Sequence, residues 1–177
     1  MTSTQEAPVK VPDFGDESSD RKICFICSKG NLDMAYPALI MANGALGEGI
    51  ETHIFFTFWG MDIINKATQE HLKFTAVGNT AMHLGKGSAS IPQLAAGLPG
   101  MQALATKMLK GKIAGLDIPE VPEFVKLLHD MGATFWACKL SVDMAELTKD
   151  DLIDEVEDII NVSDFMELSE GAQIIFI

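Results

Sequence analysis

The chain has 177 residues, 47% of them hydrophobic and 21% charged, which is enough apolar material for a sizeable core and excludes wholesale disorder. With 13 basic against 25 acidic side chains the net charge is −12, and Arg21 is the single arginine; such a chain is poorly suited to gripping nucleic-acid phosphates or anionic lipid headgroups. The charge is uneven. Residues 1–20 carry one base and five acids, residues 143–170 one base and eleven acids, and the remainder is left slightly basic at +2. Three cysteines, Cys24, Cys27 and Cys138, are too few and odd in number for a disulfide framework, so a reducing compartment, the cytoplasm, is expected.

Residues 1–20 have no apolar run that would serve as a secretory signal, and they are too acidic for a transit peptide. They are expected to form a disordered acidic tail ahead of one α/β domain over 21–177. Lys22–Cys27 is a short apolar run and predicts a buried strand. Leu32–Leu46 has helical spacing through Met34, Ala38, Met41 and Ala45, and stops at Gly47. Ile50–Phe58 is β-branched and aromatic and predicts a second buried strand. Strand, helix, strand with both strands apolar throughout indicates a parallel βαβ unit.

Trp59–Lys66 predicts the start of another helix, after which regularity is lost. Residues 70–116 hold seven glycines, three methionines and two prolines, with one helical patch at Met101–Leu109. A segment this long and irregular (about 60–116) is expected to be a flexible insertion acting as a lid or binding loop. Its least polar stretch, Ile91–Leu109, is interrupted by Pro92, Gln93, Pro99, Gln102 and Lys107 and is a poor membrane span. Loose membrane contact through residues 80–116 stays open. Pro119–Met131 predicts a helix with proline near its start and Gly132 beyond its end. Ala133–Cys138 predicts a third strand. Ser141 or Thr148 would cap a following helix striped by Leu152, Val156 and Ile159, with a short strand near Ile159–Val162. Ser163–Glu170 predicts a short helix capped by its serine, and Ala172–Ile177 a closing strand. Together these elements describe an open, mainly parallel five-stranded sheet with helices on both faces, of flavodoxin-like type.

Cys138 is the foremost chemical candidate. It ends a strand where open parallel sheets form their ligand crevice, close to helix-start N–H groups that favour thiolate. Lys139 would add a cation beside it, and Ser141 a hydrogen bond to sulfur. The plain alternative is a buried, inert cysteine. Cys24 and Cys27 share CxxC spacing, but residues three apart on a strand face opposite ways, and no second ligand pair accompanies them, so no metal site is expected. Cys27 ends its strand and is a candidate to exchange with Cys138. Ser28, Lys29 and Gly30 form a strand-to-helix turn that would hold an anion or serve only as a turn. Among the histidines, His71 and His83 flank the irregular segment and are the functional candidates, with surface solvation as their alternative. His53 lies in a strand and His129 near a helix end. Met82, Met101 and Met108 suit an adaptable contact surface or a subunit interface.

The blocks CSKGNLDMAYPALIMANGA, IETHIFFTFWGMDIINK, MGATFWACKLSVDMAEL and FMELSEGAQIIFI resemble the DsrE/DsrF-like family over about residues 21–177, most specifically in TFWG and ACKLSVDM. They look closest to its larger branch, often labelled as peroxiredoxin-family proteins. The resemblance implies a flavodoxin-like fold, homo-oligomers and sulfur handling. TusD-type and DsrE-type members carry persulfide sulfur on a cysteine ending the third main strand, which places that role on Cys138. It also implies small sulfur-carrier proteins or rhodanese-like donors as partners. The small relay members lack the segment at 60–116, and some larger relatives are membrane-associated or fused to further domains.

The expectation is a cytoplasmic sulfur carrier, with sulfurtransferase activity in sulfur relay or oxidation, using Cys138 and no metal or organic cofactor. Two alternatives stand beside it: a non-catalytic oligomeric adaptor, and a thiol redox sensor pairing Cys27 with Cys138. The acids of 143–170 follow Cys138 directly. They would attract a basic partner, and would raise the thiol pKa if they came close, opposing Lys139 and the helix.

Overall fold

The computed structural model describes residues 21–79 and 92–177. The expected acidic tail, Met82 and His83 lie outside the described residues. Five strands, β1 (Lys22–Cys27), β2 (Glu51–Phe56), β3 (Thr134–Cys138), β4 (Val156–Ile160) and β5 (Gln173–Phe176), pair in the order β4-β3-β2-β1-β5. Every pairing is parallel. The helices are α1 (Leu32–Gly47), α2 (Gln93–Ala96), α3 (Met101–Ala114), α4 (Val121–Asp130), α5 (Lys139–Met144) and α6 (Val162–Leu168).

Chain direction explains which face each helix covers. From β1 to β4 the strands advance one way across the sheet, so right-handed crossovers put the intervening helices on one face. The step from β4 to β5 returns to the far side of β1, so α6 falls on the other face. The packing agrees. Leu39, Ala42, Phe124 and Leu128 of α1 and α4, with Val142 of α5, share one buried cluster with Phe25, Cys27, Phe56 and Phe135. Phe165 of α6 packs instead with Cys24, Phe55, Cys138 and Ile160. Phe165 stacks on Phe55 with ring centroids 4.5 Å apart. Seven residues of α6 thus serve a whole sheet face, and Ile174 and Phe176 of β5, with Val162 and Met166 of α6, stay exposed.

Several sequence expectations are corrected. The helix expected through Leu152, Val156 and Ile159 is a 3-10 turn at Lys149–Asp151 followed by strand β4. Three apolar residues fit helical spacing, but pairing with β3 decides the outcome, and Lys149 Nζ donates to the Val156 and Glu157 carbonyl oxygens. The Thr148 capping box does form, closing on Asp151. Ser141 caps nothing: α5 begins at Lys139 with Cys138 as its N-cap residue, so Ser141 lies inside the helix. Likewise α6 is capped by Asn161 rather than by Ser163. Within the expected insertion, a 3-10 turn covers Phe58–Ile63, and α3 runs on to Ala114. No helix among the described residues is long and apolar enough to cross a membrane.

Two glycines fasten the loops at the carboxyl ends of β1 and β2. A Cβ on Gly60 would collide with the Cys27 carbonyl, and one on Gly30 with the Trp59 carbonyl oxygen and the Asp62 side chain. Gly44, in the last turn of α1, has open space around it. Gly60→Ala is therefore expected to lower unfolding free energy by about 2 kcal/mol or more, whereas Gly44→Ala raises it by roughly 0.5–1 kcal/mol. Urea unfolding of both variants measures the contrast, and equal effects would contradict the close approach at Gly60.

Candidate functional site

Strand parity separates the three thiols. Ile26 of β1 pairs with Phe55 of β2, and Phe55 with Trp136 of β3, so these three share one face. Cys24 and Cys138, two residues from Ile26 and Trp136, face the same way, toward α6. Cys27 pairs with Phe56, which pairs with Ala137, and it faces α1. All three cysteines are free and buried. Cys27 and Cys138 are on strands two places apart, a lateral separation of about 10 Å. That exceeds the ~7 Å reach of a disulfide, and the side chains diverge besides. The expected exchange between Cys27 and Cys138 has no direct path in this arrangement.

The thiols also differ in ionisation. Burial pushes Cys27 up to about 12, and pushes Cys24 up to about 11 with partial relief from Lys22. Cys138 is 4% exposed. Burial raises its pKa too, but hydrogen bonds from the Ser141 and Thr57 hydroxyls and from the Ser141 and Leu140 peptides outweigh this and bring it below the ordinary thiol value. Lys139 is engaged elsewhere, with Nζ 2.8 Å from Asp143 Oδ1 on the next turn of α5. The pairing also occupies the acid closest in sequence to Cys138. The ionisation of Cys138 is set by burial and hydrogen bonding, not by the competition of charges expected from sequence.

Thr57 was not singled out in the sequence. It follows β2 in the block TFWG, and its buried hydroxyl oxygen lies 3.2 Å from Ser141 Oγ. The next peptide donates too: Phe58 N–H reaches Ser141 Oγ at 2.7 Å. Phe58 has φ of 47°, an uncommon conformation for a bulky residue. No local pattern marks it, because its contact with Ser141 joins residues 84 apart. On the turn after β2 and on α5, Phe58, Trp59, Leu140 and Met144 are exposed apolar side chains.

The Ser28–Gly30 turn is otherwise employed. Ser28 donates its peptide N–H and its hydroxyl to the Ile177 carbonyl oxygen, at 2.8 and 2.9 Å, tethering the chain after β5. Gly30 is buried beneath the Trp59–Asp62 turn, and Lys29 is exposed. Beside it opens a cleft of about 490 Å³ lined by Asn31, Trp59, Asp62, His71 and Lys73 among others. His53 is buried, with Nε2 2.8 Å from Glu51 Oε1 and Nδ1 2.5 Å from Thr134 Oγ1, so both ring nitrogens are occupied. His129 sits near the end of α4 beside Asp130 and Glu157. Among the described residues no group of three or more His, Cys, Asp or Glu is placed to hold a metal.

These features define a parallel α/β protein that presents one hydrogen-bonded thiol at the carboxyl edge of its sheet. The model of the DsrE/DsrF/DrsH-like family matches residues 19–177, and the chain belongs to that family. It is 35% identical over 138 residues to the sulfur carrier protein DsrE2 of Allochromatium vinosum, covering 77% of this chain and 86% of that protein. It is 27% identical over 141 residues to the uncharacterised protein YrkE of Bacillus subtilis, covering 77% and 84% of the two. A solved structure of a protein of unknown function, MTH1491 from Methanobacterium thermoautotrophicum, shares the fold with a TM-score of 0.54 at 12% identity, over 89% of this chain and 100% of that one.

Alkylation separates the three thiols directly. Cys138 is expected to react with iodoacetamide well before Cys24 and Cys27, and its pH–rate midpoint to lie below that of a free cysteine. A lowered pKa leaves more thiolate at any pH below the midpoint. Peptide mass spectrometry across pH 6–10 (a range of about four units around the free thiol pKa) reads this. Equal labelling of all three thiols would contradict the assignment.

Proposed function

We propose that the protein is a cytoplasmic sulfur carrier that holds sulfane sulfur as a persulfide on Cys138. The observation that carries this reading is the place of Cys138 at the carboxyl end of β3 and the start of α5, where neighbouring hydroxyls and peptides draw its pKa down while burial pushes the other two thiols up. The relative named a sulfur carrier supports it.

The transfer balances without an oxidant. Cys138 Sγ, as thiolate, attacks the outer sulfur of a donor persulfide. A new S–S bond forms at Cys138, the donor S–S bond breaks, and the donor leaves as thiolate with the electron pair. In the second step an acceptor thiolate attacks the outer sulfur now on Cys138, and Cys138 leaves as thiolate. Cys27 faces the other side of the sheet, so the acceptor thiol comes from another molecule, a small sulfur-carrier protein, with a rhodanese-like protein as donor. The apolar rim of Phe58, Trp59, Leu140 and Met144, next to the acidic stretch that begins at Asp143, suits a partner with an apolar centre and basic surroundings.

After incubation with a persulfide donor the intact protein is expected to gain about 32 Da, one sulfur atom. Cys138→Ser abolishes the gain, while Cys27→Ser and Cys24→Ser keep it. An adduct that survives Cys138→Ser would refute the proposal.

Self-association belongs to the same reading. Ile174, Phe176, Val162 and Met166 leave apolar surface on the thinly covered sheet face. Sedimentation velocity is expected to give a mass that is a multiple of 19.2 kDa, and Phe176→Asp to lower it. A wild-type monomer at micromolar concentration would count against a homo-oligomer.

A further inference from the structure

We infer that Thr57 and the peptide of Phe58 are positioning elements that hold the Ser141 hydroxyl in the orientation that serves Cys138 and so set the strength of that thiol as nucleophile and as leaving group. The inference rests on the reading of Cys138 as the working thiol.

The geometry leads through Ser141. Its oxygen is buried, accepts the Phe58 N–H at 2.7 Å, and lies 3.2 Å from Thr57 Oγ1. A hydroxyl has one proton to give and two lone pairs to fill. With the Phe58 N–H occupying one lone pair, the Ser141 proton is free to point at sulfur. The Thr57 hydroxyl stands beside it, paired with it at 3.2 Å, and both hydroxyls favour the thiolate form of Cys138. The Thr57 peptide N–H donates to the Cys27 carbonyl oxygen at 2.9 Å, which anchors the backbone from which the hydroxyl is presented. Gly60 N–H closes the turn onto the Thr57 carbonyl oxygen, also at 2.9 Å.

Phe58 completes the device. The extended Thr57, with ψ of 158°, aims the Phe58 N–H toward Ser141, and the Phe58 φ of 47° turns the chain that follows into the 3-10 turn. A bulky side chain in this region costs energy, and such strain persists where surrounding contacts hold it. Gly60, locked against Cys27, and Thr57, locked by its own N–H, supply that restraint. A thiolate that receives several hydrogen bonds is stabilised both before it attacks a persulfide and when it departs from one. Thr57 and the Phe58 peptide both contact Ser141, so both act through Ser141 on Cys138.

The test is the pH–alkylation profile of Cys138 at the peptide level. Thr57→Val, nearly isosteric but without the hydroxyl, is expected to move the midpoint up by about one pH unit, the size of one hydrogen bond to a charged group. Thr57→Ser restores the hydroxyl and is expected to return the midpoint to within a few tenths of wild type. Phe58→Gly keeps the N–H and takes the left-handed conformation without strain, so its profile is expected to match wild type while thermal stability does not fall. If Thr57→Val fails to fold, Thr57→Ala is the second hydroxyl deletion, with the same expected shift. A Thr57→Val profile superimposed on wild type, or a Thr57→Ser shift as large as that of the valine variant, would overturn the inference. Loss of the profile in Phe58→Gly would overturn the part played by its peptide. Persulfide loading is read separately by mass: a shifted profile with no persulfide on wild type refutes sulfur carriage but not this positioning, and loading with an unshifted Thr57→Val profile refutes the positioning alone.

Discussion

The hydrogen bond from the Phe58 peptide to the Ser141 hydroxyl joins the end of β2 to α5, and the carboxyl edge of the sheet beside Cys138 is organised around it. Removing it would loosen two elements that are 83 residues apart in sequence. It would also leave a buried hydroxyl without a defined orientation, and such groups are costly in a low-dielectric site. Gly60 contributes from below, because only a residue without Cβ lets this loop lie on the Cys27 carbonyl. The strain at Phe58, the tight approach at Gly60 and the ionisation of Cys138 are three consequences of one local arrangement.

The sheet gives that arrangement its selectivity. Alternation along parallel strands sends Cys27 into the densely packed face beneath α1, where nothing offsets the cost of a charged sulfur. The same alternation sends Cys138 to the face covered by α6, at the strand end where α5 begins and peptide N–H groups are free to donate. Cys24 shares that face but lies within β1, away from any helix start, and burial dominates there. Three chemically identical side chains thus acquire different ionisation from parity and position alone. The thin cover of α6 carries a second consequence, apolar surface on Ile174 and Phe176 that a single copy leaves in contact with water.

Much of this was legible in the residues. Apolar runs located β1, β2 and β3, because strands buried on both faces carry continuous hydrophobic stretches. The spacing of Met34, Ala38, Met41 and Ala45 located α1. Residues 148–162 were misread because Leu152, Val156 and Ile159 satisfy helical spacing while Val156–Ile160 pairs as a strand, and long-range pairing decides between them. Cys138 was visible from its place at a strand end, and Ser141 from its nearness to it. Thr57 was not, because its contact with Ser141 spans 84 residues and depends on β2 and β3 being neighbours, which no local pattern records. Lys139 pairs with Asp143 one helical turn away, a contact that the local spacing of the two residues already offers.

Location of the sulfane sulfur, residue by residue, is the most direct measurement. The wild-type protein would be loaded with a persulfide donor, trapped with a thiol-blocking reagent and mapped by peptide mass spectrometry. Sulfur carriage at the hydrogen-bonded thiol predicts one added sulfur on the peptide containing Cys138, released when an acceptor thiol is supplied. Added sulfur on Cys24 or Cys27, or none on Cys138, would contradict it.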